Sequence, residues 1–144
     1  MTAEPALPGI ADTCALYALL DEDDRWHAPC VAAFPRFKLP LLTTSAALTE
    51  LFHLVGDDPR AVASAWRLIR SGALTVKPIA DSDFPSLEQL MAKYADRPMD
   101  FTDATLVLLA RREGISTVFT VDHGDFETYR LGGQKRFRVL PERE

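Results

Sequence analysis

Apolar and polar positions along the chain follow two repeating patterns, one helical and one extended. In the helical pattern apolar side chains recur every three or four residues, as Leu16, Leu19 and Leu20 do. This pattern predicts seven helices, at residues 13–20, 25–35, 45–55, 59–71, 81–94, 100–113 and 125–130. Short apolar or alternating runs between them predict five strands, at residues 9–11, 39–43, 74–79, 117–121 and 137–140.

Residues that start or stop helices support these bounds. Thr44 or Ser45 is suited to cap the third helix, and Gly56 is suited to end it. Pro59 fits the first turn of the fourth helix, and Gly114 follows the sixth. The predicted elements are therefore separated by short connections.

Strands alternate with helices along the whole chain, which is typical of an α/β domain with a mainly parallel central sheet flanked by helices. The length of 144 residues suits one domain that spans residues 1–144. In such sheets ligands bind beyond the carboxyl ends of the strands. The residues directly after each strand are therefore candidates for function.

Acidic residues follow two of the predicted strands and occupy the first turn of one helix. Asp12 follows the first strand, and Asp122 follows the fourth. Asp103 lies three residues before Leu106 and seven before Ala110, so its carboxylate shares the apolar face of that helix. A buried carboxylate is costly unless another charge compensates it, and a divalent cation would do so.

Two further acids belong to the same group. Glu50 lies in a helix that is apolar nearly all round, which predicts burial on two sides and a semi-buried Glu50. No Lys or Arg lies within five residues of Glu50 to pair with it. Asp125 comes three residues after Asp122, across a turn from strand to helix.

Clustered carboxylates predict a site for a hard divalent cation, Mg²⁺ or Mn²⁺. The alternative is that the acids stabilise helix starts, since Asp is a preferred capping residue. Asp12, Asp100 and Asp125 are placed to act as caps, and Asp103 fits a position like that in a capping box. Both explanations remain open for each acid singly, but several acids at one end of one sheet favour a shared site.

Four segments that carry these acids resemble, in chain order, the motifs of the PIN-domain ribonucleases. The segments are residues 9–20, 43–50, 101–106 and 118–126. The first is an apolar strand, then Asp12-Thr13, then a helix that begins with small residues. The second is a helix that carries Glu50. The third has Asp103 followed by Ala104, and the fourth has Thr120-x-Asp122 followed by Asp125 and Phe126.

The resemblance covers nearly the whole chain and implies the PIN fold, cleavage of RNA phosphodiester bonds and dependence on Mg²⁺ or Mn²⁺. The implied catalytic residues are Asp12, Glu50, Asp103 and Asp122. The implied metal-binding residues are these four and Asp125, which fits a further position that is often acidic. The hydroxyl groups placed beside the acids to orient water or metal are those of Thr13, Ser45 and Thr120.

Many small PIN proteins of this length are toxins of the VapC type, each neutralised by an antitoxin. The resemblance therefore implies RNA as substrate, a cognate antitoxin as partner and a homodimer. Two other functions stay open. One is a PIN nuclease in RNA processing outside toxin–antitoxin systems, and the other is a non-catalytic α/β interaction module whose acids cap helices.

Some basic and aromatic residues are candidates to hold RNA. The basic candidates are Arg25, Arg130, Lys135, Arg136 and Arg138, which would pair with phosphates. The aromatic candidates, which would stack on bases, are Trp26, Phe126 and Tyr129. The alternative is that the cations are solvated surface charges and that the aromatic side chains belong to the core.

The formal net charge of −5 at first argues against a nucleic-acid partner. Five acids are assigned to the predicted site or its rim, and without them the remaining charge would be zero. The composition therefore excludes tight binding by bulk charge but does not exclude an RNA substrate.

The sequence also predicts the compartment. Cys14 and Cys30 fit no metal-binding spacing and predict reduced, structural thiols. Residues 1–9 lack the basic and apolar regions of a signal peptide. The longest nearly apolar run, residues 104–110, is much shorter than the roughly 20 residues that cross a bilayer. We therefore expect a cytoplasmic protein with no membrane segment.

Overall fold

A computed structural model describes residues 4–97 and 99–143; residues 1–3, within the segment tested for a signal peptide, lie outside this part. The α-helices are α1 Thr13–Leu20, α2 His27–Ala33, α3 Ser45–Val55, α4 Pro59–Arg70, α5 Phe84–Lys93, α6 Phe101–Glu113 and α7 His123–Thr128. The strands are β1 Ile10–Ala11, β2 Leu41–Thr43, β3 Leu74–Val76, β4 Thr117–Phe119, β5 Arg130–Gly132, β6 Lys135–Arg136 and β7 Arg138–Leu140.

Five of the strands form one parallel sheet in the order β3-β2-β1-β4-β7, which confirms the predicted α/β fold. Ile10 of β1 lies in register with Leu42 of β2 on one side and with Val118 of β4 on the other. The chain adds β2 and β3 to one side of β1 and then returns to add β4 and β7 to the other. The direction changes between β1 and β4, where sheets of this kind bind ligands at their carboxyl edge.

Helices cover both faces of the sheet, and a hydrophobic core lies under each face. Ile10 and Val118 belong to one core, whereas the next residue of each strand, Ala11 or Phe119, belongs to the other. This alternation follows from the two-residue period of a strand. Most of α6 is buried in the first core, so protein surrounds Asp103 in its first turn.

Several helices that begin near the carboxyl edge of the sheet start with a capping side chain. Asp12 caps α1, Thr44 caps α3, Asp100 caps α6 and Asp122 caps α7. Each cap satisfies a backbone N–H that the helix leaves without a partner. Capping therefore fixes several side chains of the predicted site in place.

Some element bounds differ from the prediction, for local reasons. A turn of 3₁₀-helix over Asp81–Asp83 precedes α5, which then begins at Phe84. The strand predicted to reach residue 79 ends at Val76, shortly before Pro78, which has no N–H to donate to a neighbouring strand. The segment predicted as residues 25–35 ends as a 3₁₀ turn, Phe34–Arg36.

The antiparallel hairpin of β5 and β6 was not predicted. Its strands are short and carry Arg130, Lys135 and Arg136, so they lack the apolar pattern of a core strand. Gly133, with φ of 54°, lies in the turn between them. The helix predicted at residues 125–130 correspondingly begins earlier, at His123, and ends at Thr128.

The prediction that α3 is buried on two sides is wrong. Only Ala47 and Leu51 are buried in this helix, and Leu54 is 49% exposed. The second apolar side of α3 is only partly covered: Phe52 packs against Trp66 of α4, with ring centroids 5.0 Å apart, and Trp66 is itself half-exposed.

In the described part of the chain, no helix is both long enough and apolar enough to cross a membrane. Cys14 and Cys30 are both free thiols, as predicted, but they occupy different surroundings. Cys30 is buried in the core, whereas Cys14 lies at the carboxyl edge of the sheet.

Candidate active site

Acidic side chains from four separate segments line one pocket at the carboxyl edge of β1 and β4. The pocket has a volume of about 190 Å³. Its lining residues are Asp12, Thr13, Cys14, Glu50, Leu54, Asp100, Asp103, Asp122 and Asp125. A larger groove of about 750 Å³ lies between the end of α1 and α4 and contains none of the predicted site acids.

Asp12 is fixed at the floor of this pocket and is 6% exposed. One carboxylate oxygen accepts a hydrogen bond from the Thr13 N–H at 2.8 Å, and the other accepts one from Thr120 Oγ1 at 2.8 Å. The Cys14 Sγ lies 3.4 Å from the second oxygen. Burial raises the pKa of Asp12, and the Glu50 carboxylate adds to the rise, although the hydrogen bonds oppose it.

Asp103 enters the pocket from α6 and is 8% exposed, as its place on an apolar face predicts. Its Oδ2 accepts a hydrogen bond from the Tyr129 hydroxyl at 2.8 Å. Burial and the nearby carboxylates of Asp12 and Asp100 raise the pKa of Asp103 to about 8. Without a bound cation, this carboxyl group is therefore mostly protonated at neutral pH.

Glu50 reaches the pocket from α3 but is exposed, so its predicted semi-buried state is wrong. The cause is the open side of α3 described above. A hydroxyl group still orients its carboxylate, because Thr102 Oγ1 donates to Oε1 at 2.8 Å. Thr13 Oγ1 lies 3.5 Å from Oε2 but donates to the carbonyl oxygen of Ala47 at 2.9 Å.

Asp122 and Asp125 form the rim on α7. Asp122 caps this helix by accepting from the Asp125 N–H at 3.4 Å, and loss of solvation together with the Asp125 carboxyl raises its pKa to about 6. Asp125 also loses solvation, but its hydrogen bonds with Asp122 and Arg97 leave its pKa lowered. Arg97 Nε lies 2.7 Å from Asp125 Oδ1. The two adjacent acids therefore have opposite electrostatic surroundings.

Thr120 links two of the acids, whereas Ser45 is not part of the pocket. Thr120 Oγ1 donates to Asp12 and accepts from the Asp122 N–H at 3.0 Å. Ser45 is exposed, and its carbonyl oxygen accepts a hydrogen bond from Thr49 Oγ1. The expectation that Ser45 orients water or metal is therefore not supported, because its position at the start of α3 faces solvent.

The structure brings further residues to the site that the sequence pattern did not indicate. Tyr129 and Thr102 hold the carboxylates of Asp103 and Glu50, and Cys14 contacts Asp12. The hydrogen bonds of Tyr129 and Thr102 join segments far apart in the chain, so spacing gives no signal for these two residues. The position of Cys14 directly after Asp12-Thr13 was the one local signal, and it was interpreted as structural.

Acids act partly as helix caps, as the alternative explanation proposed. Asp12, Asp100 and Asp122 are caps, whereas Asp125 is not, because it lies within α7. The Asp103 and Glu50 carboxylates accept no hydrogen bond from a helix start in the described structure; they accept from side-chain hydroxyl groups instead. Capping therefore does not account for the whole cluster.

Two of the three aromatic candidates for base stacking are wrong. Tyr129 is fully buried and Phe126 is 1% exposed, and their rings pack edge to face with centroids 5.3 Å apart. Trp26 is partly exposed and packs against the ring of His123 at 5.1 Å. Phe126 and Tyr129 are core residues because they belong to the same buried cluster as the apolar side chains of α6.

The basic candidates are distributed over the molecule. Arg130 Nη1 donates to the carbonyl oxygens of three consecutive residues, 127–129, so this side chain closes the end of α7. Arg138 pairs with Glu4 at 2.7 Å at the amino end of β7, opposite the pocket, so this candidate is not placed to hold RNA at the site. Lys135 and Arg136 are exposed on the hairpin, and the Arg25 guanidinium lies over the ring of Trp26 at 5.5 Å.

Within the described residues, no group of three or more His, Cys, Asp or Glu side chains is arranged to hold a metal ion as it stands. The chemistry of the donors nevertheless suits a hard cation, because the acids supply carboxylate oxygens and three of them have raised pKa values. In the part of the chain described, no Lys or Arg forms a hydrogen bond or ion pair with Asp12, Asp103 or Asp122.

Comparison with known proteins gives concordant matches. The family model described as PIN domain matches residues 10–130. Ribonuclease VapC26 of Mycobacterium tuberculosis is 30% identical over 142 residues, which cover 92% of this chain and 99% of the relative. The crystal structure of VapC20 from the same species, a toxin described as cleaving the sarcin–ricin loop, superposes with a TM-score of 0.70 and 21% identity. The match covers 80% of this chain and 90% of that one.

Proposed function

The chain belongs to the PIN-domain family, and on that premise we propose that it is an endoribonuclease that requires a divalent cation. The observation that carries the proposal is the pocket in which Asp12, Glu50, Asp103 and Asp122 meet from four distant segments. The relative at 30% identity is named a ribonuclease, which supports the same activity.

The pocket fits Mg²⁺ or Mn²⁺ better than it fits a softer ion. Its acids supply carboxylate oxygens, and the hydroxyl groups of Thr13 and Thr120 lie beside them. Burial and the repulsion from Asp12 and Asp100 raise the pKa of Asp103, and a cation in the pocket would offset both effects. Cation binding therefore has a driving force within this chain, and the acids would approach each other when it occurs.

Asp12, Asp103 and Asp122 are the residues that would hold the cation, directly or through water. Thr120 keeps Asp12 in position, and Tyr129 does the same for Asp103. A divalent cation in such a site lowers the pKa of a bound water and neutralises charge on phosphate oxygens.

Glu50 has a different place in the proposed mechanism, because it is exposed and held by Thr102. A carboxylate at the open side of the pocket is suited to orient the attacking water or to complete the ligand set. No side chain acts as a nucleophile in this mechanism, because water attacks the phosphorus in line with the leaving oxygen. Asp125 pairs with Arg97 and belongs to the rim.

We further propose that the protein is the toxin of a toxin–antitoxin pair. The 30% identity to VapC26, over 99% of that protein, supports this assignment. It implies a cognate antitoxin as partner, a homodimer and action in the cytoplasm. Growth arrest on induced expression, relieved by co-expression of a small DNA-binding protein encoded next to the gene, tests it. Cleavage without growth arrest would favour a role in RNA processing.

An RNA cleavage assay with Mg²⁺, with Mn²⁺ and with EDTA tests the enzymatic proposal. We expect cleavage by the wild type with either metal, loss with EDTA, and loss in Asp12→Asn and Asp103→Asn. Asp57→Asn is the control. It removes the same charge as the other two substitutions, but from an exposed residue in the turn after α3 that does not line the pocket. Circular dichroism of each variant reports whether it folds.

Full cleavage by folded Asp103→Asn would refute the proposed site. If the wild type neither cleaves RNA nor binds Mn²⁺ in calorimetry, the non-catalytic interaction module becomes the better explanation. The two measurements therefore separate the proposal from its alternative.

A further inference from the structure

One cation lies at the rim of the acidic pocket. Arg97, in the turn between α5 and α6, donates from Nε to Asp125 Oδ1 at 2.7 Å. Its side chain is 48% exposed, so the guanidinium is held at one edge and open to solvent at the other. Among the described residues none accepts a hydrogen bond from Nη1 or Nη2 of Arg97.

The position of this guanidinium depends on a glycine. A methyl group on Gly124, in the first turn of α7, would overlap Nη2 of Arg97. The guanidinium therefore lies directly against the backbone of α7, next to Asp122 and Asp125. The ion pair and this close contact hold a flexible side chain in one place, which reduces the entropy lost on binding a ligand.

The charge around the pocket explains why this residue matters for the proposed reaction. Six of the residues that line the pocket are acids, and no Lys or Arg is among them in the described structure. RNA approaches as a polyanion and is repelled by such a surface unless a cation compensates. Arg97 is bound to one of the lining acids through Nε, and its terminal nitrogens Nη1 and Nη2 donate to none of the described residues.

We propose that Arg97 binds a phosphate of the RNA strand beside the acidic pocket, through Nη1 and Nη2. A guanidinium fits two phosphate oxygens at once, and its charge remains at any physiological pH. The residue is thus a substrate-binding residue for the ribonuclease activity proposed above, and the inference rests on that proposal. Asp125 and Gly124 position the guanidinium.

The test compares Arg97→Gln with Arg138→Gln. Each substitution removes one positive charge and one ion pair of 2.7 Å. The two side chains are similarly exposed, at 48% for Arg97 and 43% for Arg138, but Arg138 lies at the opposite end of the sheet. Binding of a fluorescein-labelled single-stranded RNA of mixed sequence is measured by anisotropy, with Mg²⁺, over a range of KCl concentrations. An Asp103→Asn background prevents cleavage in this arm.

We expect Arg97→Gln to weaken RNA binding by about 5- to 30-fold at moderate salt, since one charge-assisted contact is lost. The slope of log affinity against log salt should fall by about 0.7, the value for one phosphate contact on a single strand. The RNA affinity of Arg138→Gln should stay within about twofold of that of the protein that carries Asp103→Asn alone. Equal affinities for the two variants, or an unchanged salt slope in Arg97→Gln, would overturn the proposal.

Gly124→Ala tests the placement without changing any charge. Alanine suits a helix, so the variant should fold, but its methyl group must displace the guanidinium. Reduced RNA affinity in Gly124→Ala supports the proposal, whereas wild-type affinity in both Gly124→Ala and Arg97→Gln overturns it. Tighter Mn²⁺ binding by Arg97→Gln with unchanged RNA affinity also overturns it, because Arg97 would then be an internal counter-ion.

Cleavage by proteins without the Asp103 change separates this inference from the one on which it rests. If the wild type does not cleave RNA with either metal, the proposed function fails. If the wild type cleaves and Arg97→Gln has the same KM and kcat, only the assignment of Arg97 fails. The expected result is a raised KM with kcat changed much less, since Arg97 would hold a phosphate at the rim and not the phosphate that reacts.

Discussion

Replacing Asp103 by Asn should make the metal-free protein more stable, although it should abolish RNA cleavage. Burial and the carboxylates of Asp12 and Asp100 disfavour the charged form of Asp103, and its pKa rises from 3.8 to about 8. Between these two values the folded protein holds a proton that the unfolded chain has lost. The stability contributed by this group is therefore present at acid pH and is lost as the pH rises through about 8.

The rise in the pKa of Asp103 sets an upper limit on the stability that Asp103→Asn can gain. A difference of about four pKa units corresponds to about 5 kcal/mol at pH 8, at about 1.4 kcal/mol per unit. Water at the pocket mouth and side-chain movement relieve part of this cost. Asn must also be desolvated, although it can still accept from Tyr129. We therefore expect a net gain of about 1–3 kcal/mol, or a rise in Tm of roughly 3–10 °C.

Thermal unfolding in EDTA at pH 8 and at pH 5, followed by circular dichroism, measures this effect. The advantage of Asp103→Asn should be largest at pH 8 and should shrink at pH 5, where the wild-type carboxyl is protonated in the folded state. Asp57→Asn, which changes an exposed acid, should show no comparable pH dependence. A destabilised Asp103→Asn at pH 8, or an advantage that is the same at both pH values, would refute the electrostatic reasoning.

The remaining predictions concern the metal, a hydroxyl group and a helix end. Mn²⁺ at 100 times its Kd should stabilise the wild type by about 2.7 kcal/mol, and Asp103→Asn should gain clearly less in the same thermal scan. Thr120→Val should cost about 1–3 kcal/mol in urea unfolding and raise the Mn²⁺ concentration needed for cleavage, because Asp12 loses its 2.8 Å donor. Thr117→Val is the control, since it alters a buried threonine at the amino end of β4, three residues before Thr120, and it should leave the Mn²⁺ requirement unchanged. Gly114→Ala should lower the free energy of unfolding by about 1 kcal/mol, because φ is 67° there although nothing crowds the added methyl group. Gly132→Ala is the control: its methyl group is equally uncrowded but φ is not positive, so the change should be nearly neutral.

The elements that the sequence predicted well are those whose signal is local. The bounds of α1 and α3 match the prediction, because caps and glycines mark their ends and apolar spacing marks their bodies. The position of Asp103 on a buried face followed from the same spacing, and its 8% exposure agrees. Local patterns therefore placed the acids on the right elements and at the right edge of the sheet.

Features that depend on tertiary contacts were not predictable in the same way. The exposure of Glu50 depends on how α4 packs against α3, and the apolar pattern of α3 alone suggested the opposite. The hydrogen bond from Tyr129 to Asp103 joins residues 26 positions apart, and the sequence offered its donor only as a candidate for base stacking or for the core. The ion pair of Arg97 with Asp125 spans 28 positions and leaves no trace in spacing.

The order of strands in the sheet has a consequence for synthesis on the ribosome. β1, β2 and β3 are made first and are neighbours in the sheet in that order, so they can pair as they emerge. β4 then joins the open edge of β1, and no earlier pair has to separate. Asp122 follows Asp12 by 110 positions, which at about 5–20 residues per second is roughly 5–20 s of translation. During that interval the nascent chain carries its first acids without the pocket, which can form only after the segment that follows β4 has been made.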